Sequence, residues 1–191
     1  MPLDSPQPRA LALVGMPGAG KTLCAEHLAG RGFFTLRFGA LVIGEVQRRG
    51  WDVSPANERI VREELRRKHG MAAMAVLSLP ALQDALITHS HIVIDGLYSF
   101  SEYKLLSTEL GAPLLLLAIV ASRELRYRRL AERAVRPMTP AESRERDFRE
   151  IEKLEKGGPI AIADYTLIND GAPADLLRRL DSLLKNLEFF P

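Results

Sequence analysis

The chain has 191 residues, 47% of them apolar and 26% charged, which is enough to bury one sizeable core and short for two. Its 26 basic and 24 acidic side chains leave a formal charge of +2, which excludes the strong basic excess of a nucleic-acid coat, and its single cysteine, Cys24, excludes an internal disulfide. The longest uninterrupted apolar stretch, Pro113 to Ala121, is too short to span a bilayer, and prolines with Asp4 stand where a signal peptide needs a basic start, so the chain reads as soluble and cytoplasmic.

Residues 1 to 8 carry three prolines and no periodicity, and are expected to be a frayed leader. The apolar run Ala10 to Val14 does not alternate, as expected for a strand covered on both faces. It stops at a glycine-rich turn. From Lys21 to Ala29, Leu23, Cys24 and Leu28 recur at helical spacing, and Gly30 with Gly32 ends the pattern. Phe33 to Arg37 reads as a second short strand. Leu41 to Arg49 is a short helix closed by Gly50, and Ser54-Pro55 opens another that runs to about His69. Met71 to Ile87 reads as a helix that Pro80 must kink or split.

His91 to Asp95 is the next strand, and Ser101 to Leu110, Pro113 to Val120 and Ser122 to Ala134 follow as helix, buried strand and helix, the alternation of a parallel sheet. Val135 to Pro140 is a proline-broken connection, and Thr139-Pro-Ala-Glu142 is a capping box opening the next helix, which Gly157-Gly158-Pro159 stops. Tyr165 to Ile168 is a last strand and Ala174 to Leu187 a closing amphipathic helix.

Gly15-Met-Pro-Gly-Ala-Gly-Lys21-Thr22 matches the phosphate-binding pattern G-x-x-x-x-G-K-[ST] between an apolar strand and a helix. Glycines let successive amides face an anion, the helix N-terminus adds its positive end, Lys21 reaches the outer phosphates and Thr22 can ligate Mg²⁺. Gly15, Pro17, Gly18, Ala19, Gly20, Lys21, Thr22 and Leu23 are therefore the expected triphosphate contacts. The strand ending at Asp95 delivers a carboxylate to the same rim, suited to hold the metal with Thr22.

Residues 123–156 hold 11 of the 26 basic residues, and Arg126, Arg129, Arg133 and Arg136 recur at spacings of three and four. Arg144, Arg146 and Arg149 lie across the break. Mobile guanidinium groups suit the charge that spreads over equatorial oxygens in phosphoryl transfer, although the eight interspersed acidic residues also fit a solvated helix pair. Few aromatic platforms accompany these arginines, so nucleic-acid binding is not expected. His89 and His91 lack a completing ligand set, and Cys24 on the apolar stripe reads as a packing residue despite nearby Lys21.

With these pieces and the final Ile168-Asn169-Asp170-Gly171, the chain resembles the adenylate-kinase-like P-loop kinases. It is most similar to the group described as adenylate-kinase-related or dephospho-coenzyme-A-kinase-like. The resemblance rests on Gly15 to Lys21, Arg48-Arg49-Gly50, Val93 to Gly96, Glu145-Arg-Asp147 and Ala163-Asp164-Tyr165. It implies an α/β three-layer P-loop NTPase fold with a five-stranded parallel sheet, an acceptor-binding helical region at about 38–88 and a lid at about 133–144. It also implies ATP as donor with Mg²⁺, Asn169 and Gly171 beside the adenine, and Lys21, Asp95, Arg129, Arg133 and Arg136 as the catalytic set, with Arg146 as a further lid candidate. The implied partner is a small phosphorylated, nucleotide-like acceptor. The alternative is a regulatory nucleotide-binding switch read by a protein partner.

The acceptor half departs from the family pattern. Relatives commonly place Asp and Arg where this chain has Ala40 and Ile43, and another Arg where it has Tyr98. Arg37 and Arg66 are the candidates to compensate.

Overall fold

A computed structural model describes residues 9–191; the expected frayed leader lies outside the described residues. Five strands, β1 (Arg9–Val14), β2 (Phe34–Arg37), β3 (His91–Asp95), β4 (Leu114–Val120) and β5 (Tyr165–Ile168), form one parallel sheet in the order β2-β3-β1-β4-β5. Nine helices occur among the described residues: α1 (Lys21–Gly30), α2 (Phe38–Arg48), α3 (Pro55–His69), α4 (Ala73–Thr88), α5 (Phe100–Glu109), α6 (Arg123–Ala131), α7 (Pro140–Glu152), α8 (Gly157–Ala161) and α9 (Pro173–Asn186).

The unbroken apolar runs are explained by helices on both faces. Ala10, Ala12, Val14, Ile92, Ile94, Leu116 and Ala118 point into a cluster with α2 to α5, including Phe38, Met74, Leu82 and Leu106. Their neighbours Leu11, Leu13, Val93, Leu117 and Ile119 point the other way, against Cys24 and Leu28 of α1 and Leu176, Leu180 and Leu184 of α9. Period-two alternation within each strand thus feeds two cores rather than one core and solvent. Each such leucine, fully buried, contributes about 1.5–3 kcal/mol.

Several local expectations needed correction. Helix α2 begins at Phe38 rather than Leu41, because Phe38, Val42 and Val46 are buried at helical spacing and the first of them anchors the opening turn. Pro80 does not split α4: it is exposed, and water can take the carbonyl that its missing amide leaves free. Gly157-Gly158-Pro159 opens α8 and does not stop α7, which already ends at Glu152. The capping box at Thr139 is present, with the Glu142 amide donating to the Thr139 hydroxyl at 3.2 Å and the Thr139 amide donating to the Glu142 carboxylate at 2.7 Å. A second box, Ser99 with Glu102, opens α5.

No single helix among the described residues is long and apolar enough to cross a membrane. Register matters most for function. Leu13 pairs with Asp95, and Asp95 with Arg37, so the ends of β1, β3 and β2 meet on one rim, beside the crossover where strand order reverses.

Candidate functional site

The loop from Gly15 to Gly20 leaves β1 and turns into α1 with Gly20 as N-cap. Gly15 has φ +143° beside the Ile119 carbonyl, and a Cβ on Gly18, at φ +79°, would come within 2.7 Å of the Arg126 carbonyl. Both positions therefore demand glycine twice over, by backbone angle and by space. Two buried side chains from distant elements hold the loop. Arg126 of α6 donates from Nη1 to the Pro17 carbonyl at 3.0 Å, while Asn169, at the end of β5, donates from Nδ2 to the Ala19 carbonyl at 2.8 Å. Arg126 is itself fixed by a fork to Asp147 of α7, at 2.9 and 2.6 Å.

Lys21 folds back over the loop, donating to the carbonyls of Gly15 at 2.6 Å and Met16 at 3.2 Å. Burial, reinforced by the ammonium of Lys156, pushes its pKa down to about 7. An anion within reach reverses that pressure, so Lys21 is primed to gain its proton when phosphate arrives. Cys24 goes the other way: burial raises its thiol to about 12, and it packs in the core.

A cavity of about 400 Å³ opens over the loop. Its walls bring together Pro17, Gly18, Gly20, Lys21, Thr22, Asp95, Arg129 and Arg133 of the expected set, with Arg37, Tyr98, Arg146 and Lys156. Gly15 and Ala19 are buried in the loop behind it, and half-buried Leu23 packs against the α1–α9 core. Asp95 is 6% exposed and accepts from Arg37 Nε at 2.7 Å, the register partner on β2. Arg129 reaches Asn169 Oδ1 only at 3.5 Å, and its buried Nη1 has no hydrogen-bond partner among the described residues.

Some residues are not where the sequence placed them. Helix α6 ends at Ala131 rather than Ala134, and Arg136, in the connection beyond it, takes φ +57° and pairs with Glu58 of α3 at 2.8 Å, outside the cavity lining. Asn169 is spent on the loop backbone, and Gly171 is exposed beyond the cavity lining. Arg144 lies over Phe148, in a separate surface pocket. His91 hydrogen-bonds to the Phe190 carbonyl at 2.8 Å, and no group of three or more His, Cys, Asp or Glu among the described residues could hold a metal alone.

Lys156 and Glu150 were missed. Lys156, 2% exposed, reaches the cavity from the turn before α8, and its ammonium sits 5.0 Å from the centre of the Tyr98 ring. Glu150 accepts from Lys156 on one oxygen and from Arg146 Nε at 2.9 Å on the other. Burial pushes the Glu150 carboxyl up, but these two cations outweigh it and hold it below its ordinary value. A signal existed: Ser143, Asp147 and Glu150 recur at four and three residues, marking an inward polar face of α7.

Against known proteins, a profile described as an AAA domain matches residues 11–155. The UPF0200 protein of Thermococcus gammatolerans is 32% identical over 181 residues, covering 92% of this chain and 93% of the relative. The chain belongs to the UPF0200 family. A second UPF0200 member, from Methanocaldococcus jannaschii, is 30% identical over 93% of this chain and 89% of its own length. Among solved structures, TT1252 from Thermus thermophilus superposes with a TM-score of 0.67 at 22% identity, covering 95% of this chain and 98% of that one. Shikimate kinase from Bacteroides thetaiotaomicron gives 0.58 at 16%, covering 92% and 98%. This UPF0200 member therefore has the P-loop kinase-like fold, with a five-stranded parallel sheet between helical layers.

Proposed function

We propose that the protein is a phosphotransferase that moves the γ-phosphoryl group of ATP to a small, anionic, nucleotide-like acceptor, in the manner of the adenylate and dephospho-coenzyme A kinases. The observation that carries this reading is the shared cavity, whose lining joins the loop and Lys21 to Arg37, Asp95 and Tyr98 and to Arg129, Arg133 and Arg146. A donor and an acceptor held in that space would meet without bulk water between them.

The residues suit both ATP and its metal. The amides around Ala19 and the α1 N-terminus would take the triphosphate, and Lys21 would leave the Gly15 and Met16 carbonyls for phosphate oxygens. The Thr22 hydroxyl and the Asp95 carboxylate, both on the cavity wall, are hard oxygen donors of the kind Mg²⁺ takes alongside phosphate oxygens and water. When bound, Mg²⁺ neutralises charge on the phosphate oxygens. Arg129 and Arg133 supply further positive charge where negative charge develops during in-line transfer. A need for ATP fits a cytoplasmic enzyme.

The test is an acceptor screen with γ-labelled ATP over nucleoside monophosphates, dephospho-coenzyme A and phosphorylated metabolites, with hydrolysis followed in parallel. Label transferred to one small molecule is the expected result. Hydrolysis that no acceptor alters, but that a protein stimulates, would replace this reading with that of a regulatory switch.

A further inference from the structure

Six cationic side chains line the cavity, Lys21, Arg37, Arg129, Arg133, Arg146 and Lys156, and one carboxylate, Asp95. Glu150 stands just behind, bound to both Arg146 and Lys156. The cations thus exceed the carboxylates by four. Magnesium-bound ATP brings a charge of about −2, so about two positive charges are left over for a second anion in the same cavity.

Lys156 is the best placed of them. Burying an ammonium costs several kcal/mol unless it is paired, and its one carboxylate partner is shared with a second cation. An ammonium has three N–H donors. Among the described residues Glu150 is the only hydrogen-bond acceptor for Lys156, and the Tyr98 ring face steadies the group without using a donor. At least one N–H is therefore free to serve whatever occupies the cavity. Arg37, bonded through Nε to Asp95, keeps its two terminal nitrogens for the same purpose.

We infer that Lys156 holds the acceptor: the acceptor carries a phosphate monoester or carboxylate that sits over Tyr98 and takes a charge-assisted hydrogen bond from the Lys156 ammonium, with Arg37 at its other side. The cation that Tyr98 does not provide comes instead from a residue nearly sixty positions later in the chain. The inference rests on the phosphotransferase reading, and it makes Lys156 a specificity residue for the acceptor and not for ATP.

The test is calorimetric titration of the full chain, first with a non-hydrolysable ATP analogue and magnesium, then with inorganic phosphate or malonate once the nucleotide has filled the loop. Wild type should bind one phosphate or one malonate per chain, the preferred ion telling a phosphate monoester from a carboxylate. Lys156→Met alone strands Glu150, so Lys156→Met with Glu150→Gln is the variant to use, its folding checked by thermal melting. It should weaken the ion by at least about tenfold while leaving analogue affinity within about threefold. Undiminished ion binding in the double variant, or no binding of either ion to nucleotide-loaded wild type, overturns the inference. Failure of the analogue to bind appears in the first titration and removes the phosphotransferase reading, with this inference along with it.

Discussion

The two ends of the cavity are built differently. At the donor end, one contiguous stretch, Gly15 to Thr22, supplies the loop and its lysine, and its backbone is tied down by Arg126 and Asn169, both buried and hydrogen-bonded. At the acceptor end, Arg37, Asp95 with Tyr98, and Lys156 arrive from three separate segments. Behind them lie polar atoms with no hydrogen-bond partner among the described residues: Nε and Nη2 of Arg66 and Oε1 of Glu102. The donor end is rigid because each strut has a partner of its own. The acceptor end shares too few carboxylates among too many cations, which is how a surface that must admit a charged ligand differs from one that must hold a shape.

The largest expected effect is at the donor end. Lys21→Ala should abolish ATP turnover while leaving the fold intact, because it removes a buried ammonium that the charge of Lys156 disfavours and that has only backbone carbonyls as hydrogen-bond partners. Turnover at the wild-type rate in that variant would show that the loop is not the reacting end. Next comes the strut. Asp147→Asn leaves Arg126 buried without its charge partner and should cost about 3–5 kcal/mol in denaturant unfolding. Replacing both partners, Arg126→Met with Asp147→Leu, should recover most of that stability but not nucleotide affinity, because the bond to the Pro17 carbonyl is still lost. Full recovery of both would mean that the strut stabilises α6 against α7 and does nothing for the loop.

The same contrast sets what could be read from the sequence. The loop, its flanking strand and helix, and Asp95 at a strand end are local patterns, and the sheet follows from the alternation of apolar runs with helices. Arg126 and Asn169 as loop supports were not legible, because their roles depend on how α6 and β5 stack beside β1. Arg136 was expected with Arg129 and Arg133 from the family resemblance, but it stands in the connection after α6 and reaches Glu58 of α3, a partner far off in the chain. Lys156 was hidden by a glycine-proline run that reads as an ending, although the turn it makes carries the ammonium inward. Long-range partners, not residue types, were the missing information.

The smallest effect probes the ground behind the acceptor end. Glu102 is fully buried; burial pushes its pKa up to about 7, against the pull of the Tyr98 amide, the Arg66 guanidinium and the Ser99 amide. Below pH about 4.5 the carboxyl is protonated in the folded and unfolded chain alike, so it adds no pH dependence there. Between about 4.5 and 7 the unfolded chain releases this proton and the folded chain keeps it, so stability falls as pH rises, by at most about 3 kcal/mol, and levels off above 7. Glu102→Gln carries no such proton. Its unfolding free energy should lack that decline, so the gap between variant and wild type should shift in the variant's favour from pH 4.5 to 7. A gap that stays constant over this range would mean that the carboxylate is already charged at pH 5 and that Arg66 is its close partner, which would make the acceptor end as fully paired as the donor end.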